Sequence, residues 1–135
     1  MKTNYKNFTV SARFTGSKKA PWAGGPENWN HHTVTVKNNQ TGKRTSFDFW
    51  ASIASPRIET EYDLLNALYC FVSDALTGED CFPDFCSEFG YDEDSRTAEK
   101  VWRGCRRASE KWKRVSNLYD DEMYNFINEL QEIAG

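Results

Sequence analysis

The sequence predicts an α+β fold, with a small N-terminal antiparallel sheet of about three strands packed against three to four C-terminal helices. Before residue 50, apolar and polar residues alternate in several short segments, which is the period of a strand with one buried face. After residue 60, apolar residues recur at spacings of three and four, which is the period of an amphipathic helix. The length of 135 residues predicts a single domain over residues 1–135, with its sheet part at 8–50 and its helical part at 60–133.

The first predicted strand has apolar residues at alternate positions, namely Phe8, Val10, Ala12 and Phe14. The segment 16–28 that follows is a loop by composition, because it contains three glycines and two prolines. A loop of this length without regular structure is either disordered or used for binding. Trp22 at its middle favours a binding role, and the alternative is that Trp22 folds back onto the core.

Two further strands form a predicted hairpin. Val34 and Val36 alternate with threonines, and Phe47 and Phe49 alternate with polar residues. The residues at 38–42 are Asn-Asn-Gln-Thr-Gly, which is turn chemistry with a glycine available for positive φ. We expect the first strand to join this hairpin as a third antiparallel member.

The central core helix is predicted to begin at Thr60. Thr60 and Asp63 resemble a capping box in which Asp replaces the usual Glu or Gln, and Gly78 is expected to end the helix. We expect this helix to lie across the sheet because its apolar face is wide. That face consists of Leu64, Leu65, Leu68, Phe71, Val72, Ala75 and Leu76.

The stretch 82–96 combines a short helix, its end and the start of the next helix. Pro83 suits the first turn of the short helix, and Gly90 is expected to stop it. Three acids at 92–94 are then expected to cap the next helix and to place negative charge at its positive dipole end. One apolar stripe of the short helix is predicted to comprise Phe82, Phe85, Cys86 and Phe89.

The next helix, predicted from about Asp94 to Ser116, has two different faces. Its apolar face comprises Ala98, Val101, Trp102, Cys105, Ala108, Trp112 and Val115. Its basic face, at spacings of three and four, comprises Arg96, Lys100, Arg103, Arg107, Lys111 and Arg114. The last helix is predicted from about Asp120 to Ile133, and its buried residues are expected to be Met123, Phe126, Ile127, Leu130 and Ile133.

A longer motif runs through this stretch: Phe85-Cys86-Ser87-Glu88-Phe89-Gly90-Tyr91-Asp92, then Asp94-Ser95-Arg96 and Ala98-Glu99. It resembles the signature of a family of small, mostly uncharacterised accessory proteins encoded by phages, prophages and plasmids, and the similarity extends from about Trp29 to about Leu118. The chain departs from that family after the last strand, where Phe49-Trp50-Ala51-Ser52-Ile53-Ala54 replaces a Gly-rich segment. The resemblance implies a mobile-element protein, and such proteins are often inhibitors of host defence.

The charge is divided unevenly along the chain. Residues 1–57 hold 9 Lys or Arg against 2 Asp or Glu, a balance of +7, whereas residues 58–135 hold 8 against 18, a balance of −10. Carboxylates crowded on a surface can imitate phosphates and occupy the basic groove of a nuclease, or they can serve helix capping and solubility. Seven such acids fall within sixteen residues: Glu79, Asp80, Asp84, Glu88, Asp92, Glu93 and Asp94.

The resemblance, taken with this acidic series, implies a non-enzymatic protein that binds and inhibits a host defence nuclease complex. An anti-CRISPR role, with a Cas effector as partner, is the sharpest form of this hypothesis. The alternative is a small nucleic-acid-binding accessory protein that uses the basic face from Arg96 to Arg114, although any amphipathic surface helix exposes charges of this kind. Partner binding is assigned to Asp84, Glu88, Asp92, Glu93, Asp94, Trp22, Lys18 and Lys19.

Catalysis and cofactors are not predicted. The sequence contains no glycine-rich phosphate loop ending in Lys-Ser/Thr, no H-E-x-x-H and no G-x-S-x-G. Asp48 and His32 can approach each other in the hairpin, but a general base also needs a positioned partner and a pocket. His31 and His32 are adjacent and should point to opposite faces of a strand, so they do not easily serve one site.

Metal binding and membrane insertion are not predicted either. The cysteines form no C-x-x-C pair and lie on apolar stripes, so buried and reduced thiols are expected at Cys70, Cys81, Cys86 and Cys105. No apolar run approaches 18 residues and no charged-then-apolar leader opens the chain. We therefore expect a cytoplasmic protein without membrane contact.

Overall fold

The computed structural model describes residues 1–20, 28–52, 57–119 and 121–134, and it has the predicted α+β class. Its sheet contains four strands, one more than expected: β1 (Lys2–Tyr5), β2 (Phe8–Lys18), β3 (Trp29–Asn38) and β4 (Arg44–Ser52). The described helices are α1 (Glu61–Thr77), α2 (Phe82–Phe89), α3 (Arg96–Ser116) and α4 (Asp121–Ala134). The strands form one antiparallel sheet in the order β1-β2-β3-β4.

The predicted loop 16–28 is wrong at its start, because β2 continues through Lys18 and pairs with β3 as far as Trp29. The register shifts between Phe14 and Gly16, and Gly16 has a φ of 118°, which only glycine adopts readily. This bulge lets the strand continue where composition predicts a break. Trp22 lies outside the described residues.

The β3–β4 hairpin forms as predicted, with Val34 paired to Phe47 and His32 paired to Phe49. Gly42 adopts a φ of 78° in the turn. Asn38, at the end of β3, is buried and donates from Nδ2 to the carbonyl oxygen of Val115 at 2.9 Å. That bond fastens the hairpin to the end of α3.

α1 begins at the predicted capping box. The Thr60 side chain accepts from the Asp63 N–H at 3.1 Å, and the Asp63 carboxylate accepts from the Thr60 N–H at 3.1 Å. The Glu59 and Thr60 amides hold the pKa of Asp63 below its usual value. Gly78 follows the helix in a right-handed conformation and is buried against the α3 backbone at Cys105, so close approach rather than positive φ requires glycine there.

The main core lies between one face of the sheet and the helices α1, α3 and α4. Trp112 of α3 is fully buried at its centre, with ring contacts to Phe8, Phe71 and Phe126. Its indole Nε1 donates to the sulfur of Met123 at 2.7 Å. The strand residues on this side of the sheet include Phe8, Val10, Val34 and Val36.

Two predictions about the helices need correction, one for the start of α3 and one for the buried face of α4. The N-cap of α3 is Ser95, whose side chain accepts from the Ala98 N–H at 3.2 Å, so α3 begins at Arg96 and the acids at 92–94 are not its side-chain caps. In α4, Ile133 is half exposed and Ala134 is buried, so the buried stripe of the last turn passes through Ala134 and the neighbouring Ile133 lies beside it. Asp120 lies outside the described residues.

None of the helices within the described ranges combines the length and the apolar sequence that a membrane crossing requires.

Candidate protein-binding site

α2 packs against α3 and forms a small second cluster beside the main core. Phe85 and Cys86 of α2 are buried against Ala98, with Phe82 and Trp102 partly buried around them. The Trp102 indole donates to the Asp80 carbonyl oxygen at 2.9 Å, which fixes the entry to α2. Gly90 then ends α2 in the left-handed conformation, with a φ of 74°, as the sequence predicts.

Two residues that were predicted to be buried are exposed at this position. Phe89 at the end of α2 is 51% exposed and Val101 on α3 is 44% exposed. Both lie on the apolar stripes that the spacing predicts, but α2 has only 8 residues and contacts mainly α3, so the last turn of its stripe has no helix to cover it. Tyr91, after the glycine, is also exposed at 38%.

These three side chains line an open pocket of about 220 Å³ between α1, α2 and α3. Its floor includes the Phe85 ring and Cys105, and Asp74 of α1 lies at its other side. Burial raises the pKa of Cys105 to about 11, so this thiol is protonated at neutral pH and presents an apolar surface. The pocket is therefore an accessible site with an aromatic and apolar lining from α2 and α3 and a polar lining from Ser73, Asp74 and Thr77 of α1.

Five exposed carboxylates lie along α2 and the turn after it, close in sequence to the pocket residues Phe85, Phe89 and Tyr91: Asp84, Glu88, Asp92, Glu93 and Asp94. No side-chain hydrogen bond or ion pair joins any of them to another residue in the part of the chain that the structure describes. By contrast, Glu99 binds Arg103 and Glu79 binds Lys113, at 2.6 and 3.2 Å. We call the five carboxylates together with Phe89, Tyr91 and Val101 the acidic corner.

Lys18 and Lys19, which were assigned to the same partner site, lie elsewhere. Lys18 is the last residue of β2 and pairs with Trp29, and Lys19 follows it. No hydrogen bond or ion pair joins these lysines to the acidic corner within the described ranges. The structure therefore shows no direct polar contact between the lysine part and the acidic part of the predicted site in the described ranges.

The basic face of α3 is partly used by the fold itself. Arg103 is paired with Glu99, and Lys111 donates from Nζ to the Ser46 carbonyl oxygen of β4 at 3.1 Å. Arg106, which does not belong to the predicted basic face, donates to the Gly78 carbonyl oxygen at 3.4 Å and lies over the Trp102 ring. The remaining cations of the predicted face are exposed and have no partner among the described residues: Arg96, Lys100, Arg107 and Arg114.

A larger groove of about 380 Å³ lies between the edge strand β4 and the helices α1 and α3. Phe47 and Phe71 stack at its base, with 4.2 Å between ring centroids. Its lining carries both signs of charge, because it includes Arg107 and Lys111 of α3 and Asp74 of α1. Burial raises the pKa of the Asp74 carboxyl group. The contact between Lys111 and β4 already occupies one end, so this groove is a weaker candidate for partner binding.

The predicted approach of His32 to Asp48 is wrong, because His31 makes that contact. His31 Nε2 lies 2.9 Å from Asp48 Oδ1, and its Nδ1 is hydrogen-bonded to the Thr15 hydroxyl. Alternation places His31 on the face away from the helices, whereas His32 lies on the core side near Phe49. The hydrogen-bonded series Thr15–His31–Asp48 has the order of a nucleophile, a base and an orienting acid. However, the Asp48 side chain is 70% exposed and Thr15 lies at the β-bulge, so we interpret these hydrogen bonds as stabilising the bulge.

The cysteine prediction is correct for two residues and wrong for two. Cys86 and Cys105 are buried, whereas Cys70 and Cys81 are exposed, and all four are free thiols. Cys81 is exposed because it is the N-cap residue of α2, outside the helical stripe. No group of three or more metal-binding side chains occurs among the described residues.

No protein-family model matches this chain, and no curated protein matches it significantly.

Proposed function

We propose that this chain is a non-enzymatic mobile-element protein that binds and inhibits a host defence nuclease complex. One observation carries the proposal: the acidic corner combines half-exposed apolar side chains with carboxylates that no described residue neutralises. The mobile-element origin and the class of target rest on the resemblance of the segment 85–99 to phage, prophage and plasmid proteins. A Cas effector is the most specific target of this kind.

The composition of the corner suits an interface with a basic protein. Binding energy at interfaces concentrates in a few aromatic or large apolar anchors that fill pockets, and Phe89 and Tyr91 are such anchors. Carboxylates around them attract a positively charged surface and speed association. The nucleic-acid groove of a nuclease is such a surface, so the corner would occupy the place of phosphates.

Side-chain capping does not account for Glu88 or for the acids at 92–94, whereas Asp84 suits the first turn of α2. Ser95 provides the side-chain cap of α3, and the Asp92 contact to Ser95 uses its backbone carbonyl rather than its carboxylate. Asp84 and Glu88 lie within α2, where Asp84 is in the first turn and favours the helix dipole but Glu88 is one residue from the end. Glu88 in the last turn opposes the dipole, which favours a role outside α2 itself.

The experiment compares two charge reversals of equal size. The variant Glu88→Lys/Glu93→Lys changes the corner, and the control Glu110→Lys/Glu132→Lys changes two exposed acids of α3 and α4. Tagged proteins are incubated with nuclease-treated lysate from a bacterium with an active nuclease defence, and retained proteins are identified by mass spectrometry. We expect the wild type and the control to retain a subunit of a nuclease complex and the corner variant to lose it. Retention of that subunit by the corner variant, or its absence with the wild type, would contradict the proposal.

A second pair of variants tests the apolar anchor. Phe89→Ser removes a ring from the corner, and Tyr124→Ser removes a ring of similar exposure, 56%, from α4. Because an interface anchor is worth about 2 kcal/mol or more, Phe89→Ser should weaken binding about 30-fold, and Tyr124→Ser should leave it within about twofold. Biolayer interferometry with the captured partner measures both, and equal effects would argue against the corner.

A further inference from the structure

The sheet has one face that the helices do not cover. Residues that alternate with the buried Val10, Val34 and Val36 point to this side, which we call the open face. It carries cations on every strand: Lys2 on β1, Arg13 and Lys18 on β2, Lys37 on β3 and Arg44 on β4. Its one carboxylate among the described strand residues is Asp48, which His31 already engages.

Two of these cations lie side by side in the free protein. Lys37 of β3 and Arg44 of β4 are directly paired in the antiparallel register. Side chains in such a pair have Cβ atoms about 5 Å apart, and like charges there are unfavourable. None of the five cations has an ion-pair partner within the described ranges. The pair is a place where a bound anion would relieve repulsion.

The centre of the open face consists of hydroxyl side chains. Cross-strand rows join Ser11 to Thr35 and Thr35 to Ser46, and the Thr35 and Ser46 hydroxyls lie 2.9 Å apart. Hydroxyls and cations are the groups that bind phosphate oxygens in nucleic-acid interfaces. Four strands span about 14 Å across, and the distance from Lys37 to Thr33 along β3 is also about 14 Å, which is the length of a few nucleotides.

We infer that the open face binds single-stranded nucleic acid through its phosphates. The charge supports a polyanion, because this face is locally basic although the chain has a net charge of −3. The shape supports a single strand: a duplex is read by a helix or ribbon that enters a groove, whereas the described helices pack on the other side of the sheet. The inference is independent of the proposed function, since the acidic corner belongs to α2 and α3.

Fluorescence anisotropy with a labelled 12-nucleotide single strand and the matching duplex tests it. The variant Arg13→Gln/Lys37→Gln/Arg44→Gln neutralises the open face, and Arg96→Gln/Lys100→Gln/Arg107→Gln makes the same charge change on α3. We expect the wild type to bind the single strand with an affinity that falls steeply with salt. The open-face variant should bind at least tenfold more weakly and lose about 2 from the slope of log K against log salt, whereas the α3 variant should change affinity less than threefold.

The inference is overturned if the wild type binds no oligonucleotide at 50 mM salt, if it prefers the duplex, or if the α3 variant loses as much affinity as the open-face variant. Amide chemical-shift changes in the wild type give a readout that does not depend on a variant folding. They should occur in β2, β3 and β4 on addition of the single strand, and changes confined to α3 would also overturn the inference.

Discussion

Gly78 tests how closely α1 and α3 pack. A Cβ at this position would lie 2.0 Å from the Cys105 carbonyl oxygen and 2.8 Å from the Arg106 nitrogen, and both of these atoms belong to the α3 backbone. Ordinary contact begins near 3.4 Å, so in Gly78→Ala the two backbones must move apart by about 1.4 Å, the difference between 3.4 and 2.0 Å. Overpacking of this kind costs about 1–3 kcal/mol, and a rigid backbone places Gly78→Ala at the upper end, about 3 kcal/mol.

Gly104 provides the matched control, because it lies in the middle of α3 and a Cβ there would meet only the Arg107 side chain, at 3.8 Å. Gly104→Ala should raise the free energy of unfolding by up to about 1 kcal/mol, since alanine has the higher helix propensity. Urea denaturation followed by circular dichroism measures both variants. If Gly78→Ala changed the free energy of unfolding by less than about 0.5 kcal/mol, the close packing of α1 on α3 would be wrong.

Two further predictions concern the core and the pH dependence of stability. Trp112→Ala should lower the free energy of unfolding by about 3–5 kcal/mol in urea titrations, because it leaves a cavity among Phe8, Phe71 and Phe126; a loss below about 1 kcal/mol would contradict this. Burial lowers the pKa of His32, whose Nε2 accepts a hydrogen bond from the Ile58 N–H. The His32 imidazole is therefore protonated more readily in the unfolded chain than in the folded protein. The free energy of unfolding should fall as the pH drops below 6.5, the ordinary pKa of histidine. A His32→Phe variant should lose less of its free energy of unfolding than the wild type between pH 7.5 and pH 5. Identical pH profiles of the two proteins would refute the role of His32.

Features set by a few neighbouring residues were predictable from the sequence. The capping box at Thr60, the turn at Gly42 and the left-handed stop at Gly90 are all present, because each depends on local hydrogen bonds or on backbone freedom. The α+β class follows from hydrophobic periodicity for the same reason. β1 was missed because its sequence Lys-Thr-Asn-Tyr has little alternation, and only its pairing with β2 makes it a strand.

Features that depend on packing were not predictable. The spacing that places Phe89 and Val101 on apolar stripes is correct, but their exposure depends on which elements pack over them, and α2 contacts mainly α3. The acids of the candidate site could therefore be named from the sequence, whereas the pocket lined by Phe89, Tyr91 and Val101 could not. The contact of His31 with Asp48 depends on the strand register and on the bulge at Gly16, which no local pattern indicates.

Competition with DNA tests the central claim most directly. DNA cleavage by the captured nuclease complex is measured against the concentration of this protein at several DNA concentrations, with Glu88→Lys/Glu93→Lys and Glu110→Lys/Glu132→Lys alongside. We predict that the wild type and the control inhibit cleavage, that the half-inhibitory concentration rises with the DNA concentration, and that the corner variant is at least tenfold weaker. Inhibition that is independent of DNA, or equal inhibition by the corner variant, would contradict phosphate imitation by the acidic corner.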